Sequence, residues 1–186
     1  GKVGASAAGA RALRAGAPPG DDPQGTPPYD VPFPPVKNVV DIADGGKVTL
    51  GGLVVTAHYT PGHTPGGTTW TWRSCEKTRC LDIVYADSLN PVSSDDFRFT
   101  ADSGARIAEF RRSIDVVHNL RCDLLVSVHP NNSNLFERVA ARTPKNDALV
   151  DPRACKTYAS TATQRVNARV QEEAKAAPAK PAPHVH

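Results

Sequence analysis

No run of apolar residues in this chain approaches the ~18 that a membrane-spanning helix needs, which excludes such a span. No secretory signal is visible at its start. No concentrated basic patch is present either. The formal charge of +3 is mild and unclustered, so neither nucleic acid nor an acidic membrane is indicated as a partner. Methionine is absent altogether. On its own that would fit a processed mature chain.

What is present fits a soluble globular domain. The 186 residues are 39% hydrophobic and 22% charged, enough for one domain with a real core. Seventeen prolines and fourteen glycines point to long loops and tight turns.

The most informative stretch is Thr60-Pro61-Gly62-His63-Thr64-Pro65-Gly66-Gly67. A histidine sits in a turn bracketed by Pro-Gly, after the apolar run Leu53 to Ala57 and before the strand-like run Thr68 to Trp72. Proline and glycine fix the backbone there, and strand-end loops are where metal ligands and catalytic groups concentrate. The alternative for His63 is a turn histidine bonded to a backbone carbonyl. A second histidine has the same setting. Leu124 to Val128 reads as a buried strand, and His129-Pro130-Asn131-Asn132-Ser133-Asn134 leaves it as a polar loop. Its alternative is a loop histidine that merely caps a strand.

Along the chain, Ala5 to Ala15 predicts a short helix ending at Gly16, with no strand before it. The proline-dense stretch 17–35 predicts a long loop. Strands follow at 36–42, 47–50, 53–58, 68–72 and 81–85, the later ones paired as hairpins. A helix runs from Asp102-Ser103-Gly104 to about Asn119, with Ile107, Phe110, Ile114 and Val117 on its buried face. After the 124–128 strand come helices at 135–142 and from Asp151 to about Ala174. This order predicts an α/β or α+β layered domain. Its bounds are set at residues 1–175, with a disordered Ala/Lys/Pro tail at 176–186.

The four cysteines form two local sets. Cys75 and Cys80 bracket a polar turn, a spacing that suits a disulfide across a hairpin. Cys122 precedes a strand and Cys155 lies in the C-terminal segment, so a bridge would close a loop of roughly 30 residues. The competing four-cysteine zinc knot wants Cys-x-x-Cys pairs, and neither set has them. Disulfides imply an oxidising compartment.

Pro61-Gly62-His63-Thr64-Pro65-Gly66, Tyr85-Ala86-Asp87-Ser88-Leu89 and His129-Pro130, in that order and spacing, resemble the second half of a subclass B3 metallo-β-lactamase. Agreement runs from roughly Ser6 to Tyr158. The resemblance implies the second αβ half of an αββα sandwich, with the inner face of its sheet left uncovered. It implies a zinc-dependent, periplasmic hydrolase that opens β-lactam antibiotics and so confers resistance. It also supports the Cys122–Cys155 bridge. The family binds two zinc ions through six ligands, four of them from a His-x-His-x-Asp-His motif that this sequence lacks. Taken with the missing methionine, this suggests a partial chain unable to hold both ions.

By the resemblance, His63 is the third histidine of the first zinc site and His129 completes the second. Ser88 acts through water on the second zinc, and Asp87 supports the site from behind, though Asp-Ser is also ordinary turn chemistry. Asn90 stands where the family often has a serine that meets the drug carboxylate, so Ser88 and Asn90 are the candidate substrate contacts. His58 and His118 read as structural. His184 and His186, in the flexible tail, would make a poor metal site. Two other readings stay open: a lactonase or glyoxalase II-like hydrolase of the same superfamily, which would place a metal-bridging aspartate here, and a noncatalytic secreted module. Drug preference and oligomeric state are not encoded in these motifs.

Overall fold

Five strands carry the chain's two histidine loops, and two helices lie behind them. The structure, a computed structural model, describes residues 1–101 and 103–176. The tail expectation, with His184 and His186, falls outside the described residues, apart from Ala176.

The strands of the main sheet are β3 (Lys47–Leu50), β4 (Leu53–Tyr59), β5 (Thr68–Glu76), β6 (Arg79–Ala86) and β7 (Leu124–Ser127), in that spatial order. The first four pair antiparallel through hairpins, and β7 joins β6 in parallel with Val84 opposite Leu125. A parallel neighbour needs a crossover. Here it is α2 (Ala105–Asn119), and α4 (Ala154–Lys175) packs beside it. Between β7 and α4 come a 3-10 turn, Pro130–Ser133, and the short α3 (Leu135–Ala140).

Alternate strand residues point to opposite faces. Val84, Ala86 and Leu125 go to the helices, where they meet Phe110, Ile114, Val117, Tyr158, Ala162 and Val166 in one buried cluster. Each large side chain removed from water there contributes about 1.5–3 kcal/mol. The four α2 positions expected to be buried are all in it.

The opposite face presents Trp70, Trp72, Ile83, Tyr85 and Val126, none of them fully buried. Tyr85 is 40% exposed, and at the sheet edge Leu50 reaches 79%. The segment 3–42 meets one end of this face, where Ala57 is buried and the Tyr59 hydroxyl donates to the Ile42 carbonyl at 2.5 Å; the rest carries the exposed Tyr85 and Leu53.

One expectation fails at the start of the chain. Residues Val3–Ala5 form a strand, β1, parallel to β2 (Val39–Asp41), where no strand before the first helix was expected. Three residues show no period, and their pairing comes from a partner some 36 positions away, Val3 on Val39. The helix α1 (Ala7–Ala15) follows, capped by Ser6 Oγ accepting from Gly9 N–H and closed by Gly16 at φ 71°. The first hairpin strands end close to where the sequence places them. β5 and β6 run on to Glu76 and from Arg79, past the expected limits, because the disulfide turn continues the ladder with Cys75 opposite Cys80.

Both disulfides form: Cys75–Cys80 within the hairpin and Cys122–Cys155 from the segment before β7 to α4. The second ties α4 beside the strand that presents His129. Replacing Cys122 and Cys155 by alanine should cost about 2–5 kcal/mol of stability, measured by denaturant unfolding under oxidising conditions. A peptide map without reduction checks the pairing itself. Free thiols at all four positions would refute it.

Candidate metal centre

The turn that carries His63 is held from three sides. Gly62 has φ 147°, and a Cβ there would stand 2.7 Å from the Phe110 ring of α2, so only glycine fits. Ser113 of α2 donates to the Pro61 carbonyl at 2.6 Å. Ser6, at the head of α1, donates to the Gly66 carbonyl at 2.9 Å.

His63 itself is half-buried, and its Nδ1 lies 2.8 Å from the Asn90 backbone carbonyl. A carbonyl only accepts, so Nδ1 carries the proton and Nε2 keeps its lone pair. That is the tautomer a metal-binding imidazole uses, with its other nitrogen oriented by a carbonyl. The two sequence readings of His63, ligand and carbonyl-bonded turn residue, are therefore compatible. Burial chiefly holds the ring's pKa below the ordinary 6.5; the Asn90 carbonyl pulls it up and nearby His129 pushes it down. The Gln24 amide, from the proline-rich loop, lies across the ring, 3.2 Å from Nε2 and 3.4 Å from Nδ1.

The loop of His129 is held differently. Ser127, buried at the end of β7, donates to the His129 carbonyl at 2.7 Å, and Ser133 donates to Pro130 at 3.1 Å. The guanidinium of Arg138 reaches the carbonyls of Leu125 (3.0 Å), Ser133 (3.2 Å) and Leu149 (2.6 Å). It thereby locks β7, the 3-10 turn and the segment before α4 together.

The fold brings His63 and His129 together from positions 66 residues apart. Their ring centroids are 5.9 Å apart and nearly perpendicular. Asp87 and Ser88 lie at the end of β6 between them in strand order. Ser88 is fully buried and its Oγ accepts from Asn90 N–H at 3.4 Å. Asn90 meets His63 through its main chain. Asp87 is also withdrawn: burial raises its pKa to about 7, against the pull of the Ser88 and Thr68 N–H groups. His58 bonds Thr71 Oγ1 at 2.8 Å within the sheet, and His118 sits in the last turn of α2.

A structural or catalytic zinc needs at least three protein ligands. Among the described residues no group of three or more His, Cys, Asp or Glu side chains could hold a metal ion. The pair His63 and His129 fits part of a zinc site and not a whole one. Gln24, Arg138 and the Asn90 carbonyl left no sequence signal, since a main-chain contact or a loop amide has no period or motif.

No protein-family model matches the chain. Solved structures do. Rm3 metallo-β-lactamase is 42% identical, with a TM-score of 0.88, over 94% of this chain and 65% of that one. MEM-A1, a subclass B3 enzyme from a soil metagenome library, is 40% identical with a TM-score of 0.87, over 93% of this chain and 66% of that one. SMB-1, solved with 2-mercaptoethanesulfonate, is 41% identical with a TM-score of 0.86, over 92% and 66%. BJP-1 of Bradyrhizobium japonicum, at 21% identity and TM-score 0.78, shares the fold. The layered half-sandwich and the two facing histidine loops define the metallo-β-lactamase fold. Within it, this chain belongs to the subclass B3 metallo-β-lactamases, and spans 65 to 66% of the length of the three nearest in identity named here.

Proposed function

We propose that this chain is the C-terminal part of a zinc-dependent hydrolase of β-lactam antibiotics, active in the periplasm and conferring resistance. The observation that carries the reading is the facing pair His63 and His129, with His63 Nδ1 pinned by Asn90 so that Nε2 is left to bind metal. In the intact protein these two would join four ligands from an upstream His-x-His-x-Asp-His segment to hold two ions. Bound there, zinc supplies Lewis acidity toward the lactam carbonyl and lowers the pKa of a water toward neutrality. This chain's own part is to hold two imidazoles at fixed orientation. Asn90 is the residue proposed to meet the drug; Ser88, the other sequence candidate, is fully buried and steadies the Asn90 main chain instead.

A lactonase or glyoxalase II-like activity would ask Asp87 to bridge two metals. Asp87 Oδ2 is instead buried against Gly67 with no hydrogen-bond partner among the described residues, which favours the B3 reading. The two disulfides support an oxidising compartment.

The test is hydrolysis of nitrocefin and imipenem by the chain extended upstream in its own reading frame to the length of its relatives. We expect turnover that a chelator abolishes and zinc restores. An extended frame without His-x-His-x-Asp-His, and without turnover, would overturn the proposal in favour of a noncatalytic module.

A further inference from the structure

Beneath the His63 turn meet Thr60 at its start, Gly67 at its close and Asp87 at the end of β6. Thr60 N–H donates to the Gly67 carbonyl at 2.9 Å and pairs the two stems. Thr60 and Thr69 are fully buried with their hydroxyls 3.0 Å apart, and Asp87 N–H donates to Thr69 Oγ1 at 3.2 Å. A Cβ on Gly67 would stand 2.4 Å from the Thr60 carbonyl oxygen and 2.5 Å from Asp87 Oδ2. The two oxygens therefore share the bare side of Gly67. Among the described residues Oδ2 is buried with no hydrogen-bond partner, and no backbone N–H outside the strand ladders reaches the Thr60 carbonyl. Two buried acceptors with no donor between them are costly. A protonated carboxyl is both donor and acceptor, and removes that cost.

We propose that Asp87 is a positioning residue that works as a neutral acid, its Oδ2–H donating to the Thr60 carbonyl and fastening the His63 turn to the end of β6. The N–H groups of Ser88 and Thr68 also act on this carboxyl, pulling against the effect of burial, so it reaches toward both stems of the turn. Burial drives the carboxyl pKa to about 7, which leaves the acid populated near neutrality. Among the described residues Asp87 forms no ion pair that would reverse this. From β4, β5 and the turn between them it meets Thr60, Gly67, Thr68 and Thr69, none of them charged. From α4 comes Tyr158, whose hydroxyl donates to the Asp87 main-chain oxygen at 2.8 Å and whose pKa is itself pushed up to about 12, with Arg165 acting on that hydroxyl.

The test uses residues 1–186 with Asp87→Asn and Asp87→Ala. An asparagine amide donates where the acid does and accepts where the carboxylate does. The first readout is the unfolding midpoint from about pH 5 to about pH 9. A group whose folded pKa lies above its unfolded one stabilises below the unfolded value, and that stability is lost as pH rises through the folded value. The wild-type midpoint should therefore fall as pH rises toward 7, relative to Asp87→Asn, which lacks this slope and equals or exceeds wild type above about pH 8. The second readout is the His63 ring by nitrogen NMR, assigned with His63→Gln. Asp87→Asn should keep the Nδ1–H tautomer signal and Asp87→Ala should shift or broaden it. Three results would overturn the proposal: an asparagine chain as disturbed as the alanine one, a wild-type slope that persists in Asp87→Asn, or an alanine chain with unchanged His63 signals. If the alanine chain does not fold, the asparagine slope and spectrum decide. None of these readouts involves zinc, so they succeed or fail separately from the hydrolase reading.

Discussion

Purified as residues 1–186, the protein should turn over nitrocefin no faster than buffer, and a chelator should change nothing. The described residues bring two imidazoles to one place and no third ligand. Metal affinity rests on a preorganised set of donors, each held by its own hydrogen bonds, and losing even an outer partner typically costs about 10–100-fold. With no third donor among the described residues, the loss should leave no ion held for turnover. Absorbance at the hydrolysed-nitrocefin wavelength, with zinc added and then removed, is the measurement. Chelator-sensitive turnover by this chain alone would mean that its own residues complete a site, and would force a different ligand set.

In the extended protein, His63→Ala should reduce β-lactam turnover by at least about 100-fold, since a ligand matters no less than the groups that orient one. Zinc content should fall toward one equivalent if, as proposed, the site of His129 draws on other donors. His129→Ala should give the complementary loss. The reason lies in the turn: His63 Nδ1 is committed to the Asn90 carbonyl at 2.8 Å, so Nε2 keeps the lone pair a metal would take, with the Gln24 amide 3.2 Å away as the group to be displaced. Metal analysis after dialysis, alongside rates, separates lost metal from a lost fold. Unchanged zinc stoichiometry and rate in His63→Ala would remove His63 from the site.

The open sheet face bears on the same experiments. Trp70, Trp72, Tyr85 and Leu53 lie on one sheet face, with Tyr85 at 40% and Leu53 at 39% exposure. Apolar surface of that kind favours association. Light scattering should accompany every measurement on the short chain.

Local sequence determined a good deal here. Apolar, strand-like runs bounded by turn residues placed the strands of the main sheet, and the 3.6-residue spacing of Ile107, Phe110, Ile114 and Val117 placed α2 and its buried face. The Pro-Gly brackets around His63 and the apolar run before His129 marked both loops, because backbone constraint and strand ends are written in adjacent residues. The two cysteine pairs were also legible, each flanking a local unit. Tertiary structure alone decided the rest. It made a strand of Val3–Ala5 through a partner far along the chain, and it set the two histidine rings 5.9 Å apart. It also chose the His63 tautomer through a main-chain carbonyl, and it confined Asp87 Oδ2 against Gly67 without a donor. Periodicity and propensity act over a few residues, whereas burial and carbonyl contacts arise only when distant segments meet, and these are what fix a side chain's proton and direction.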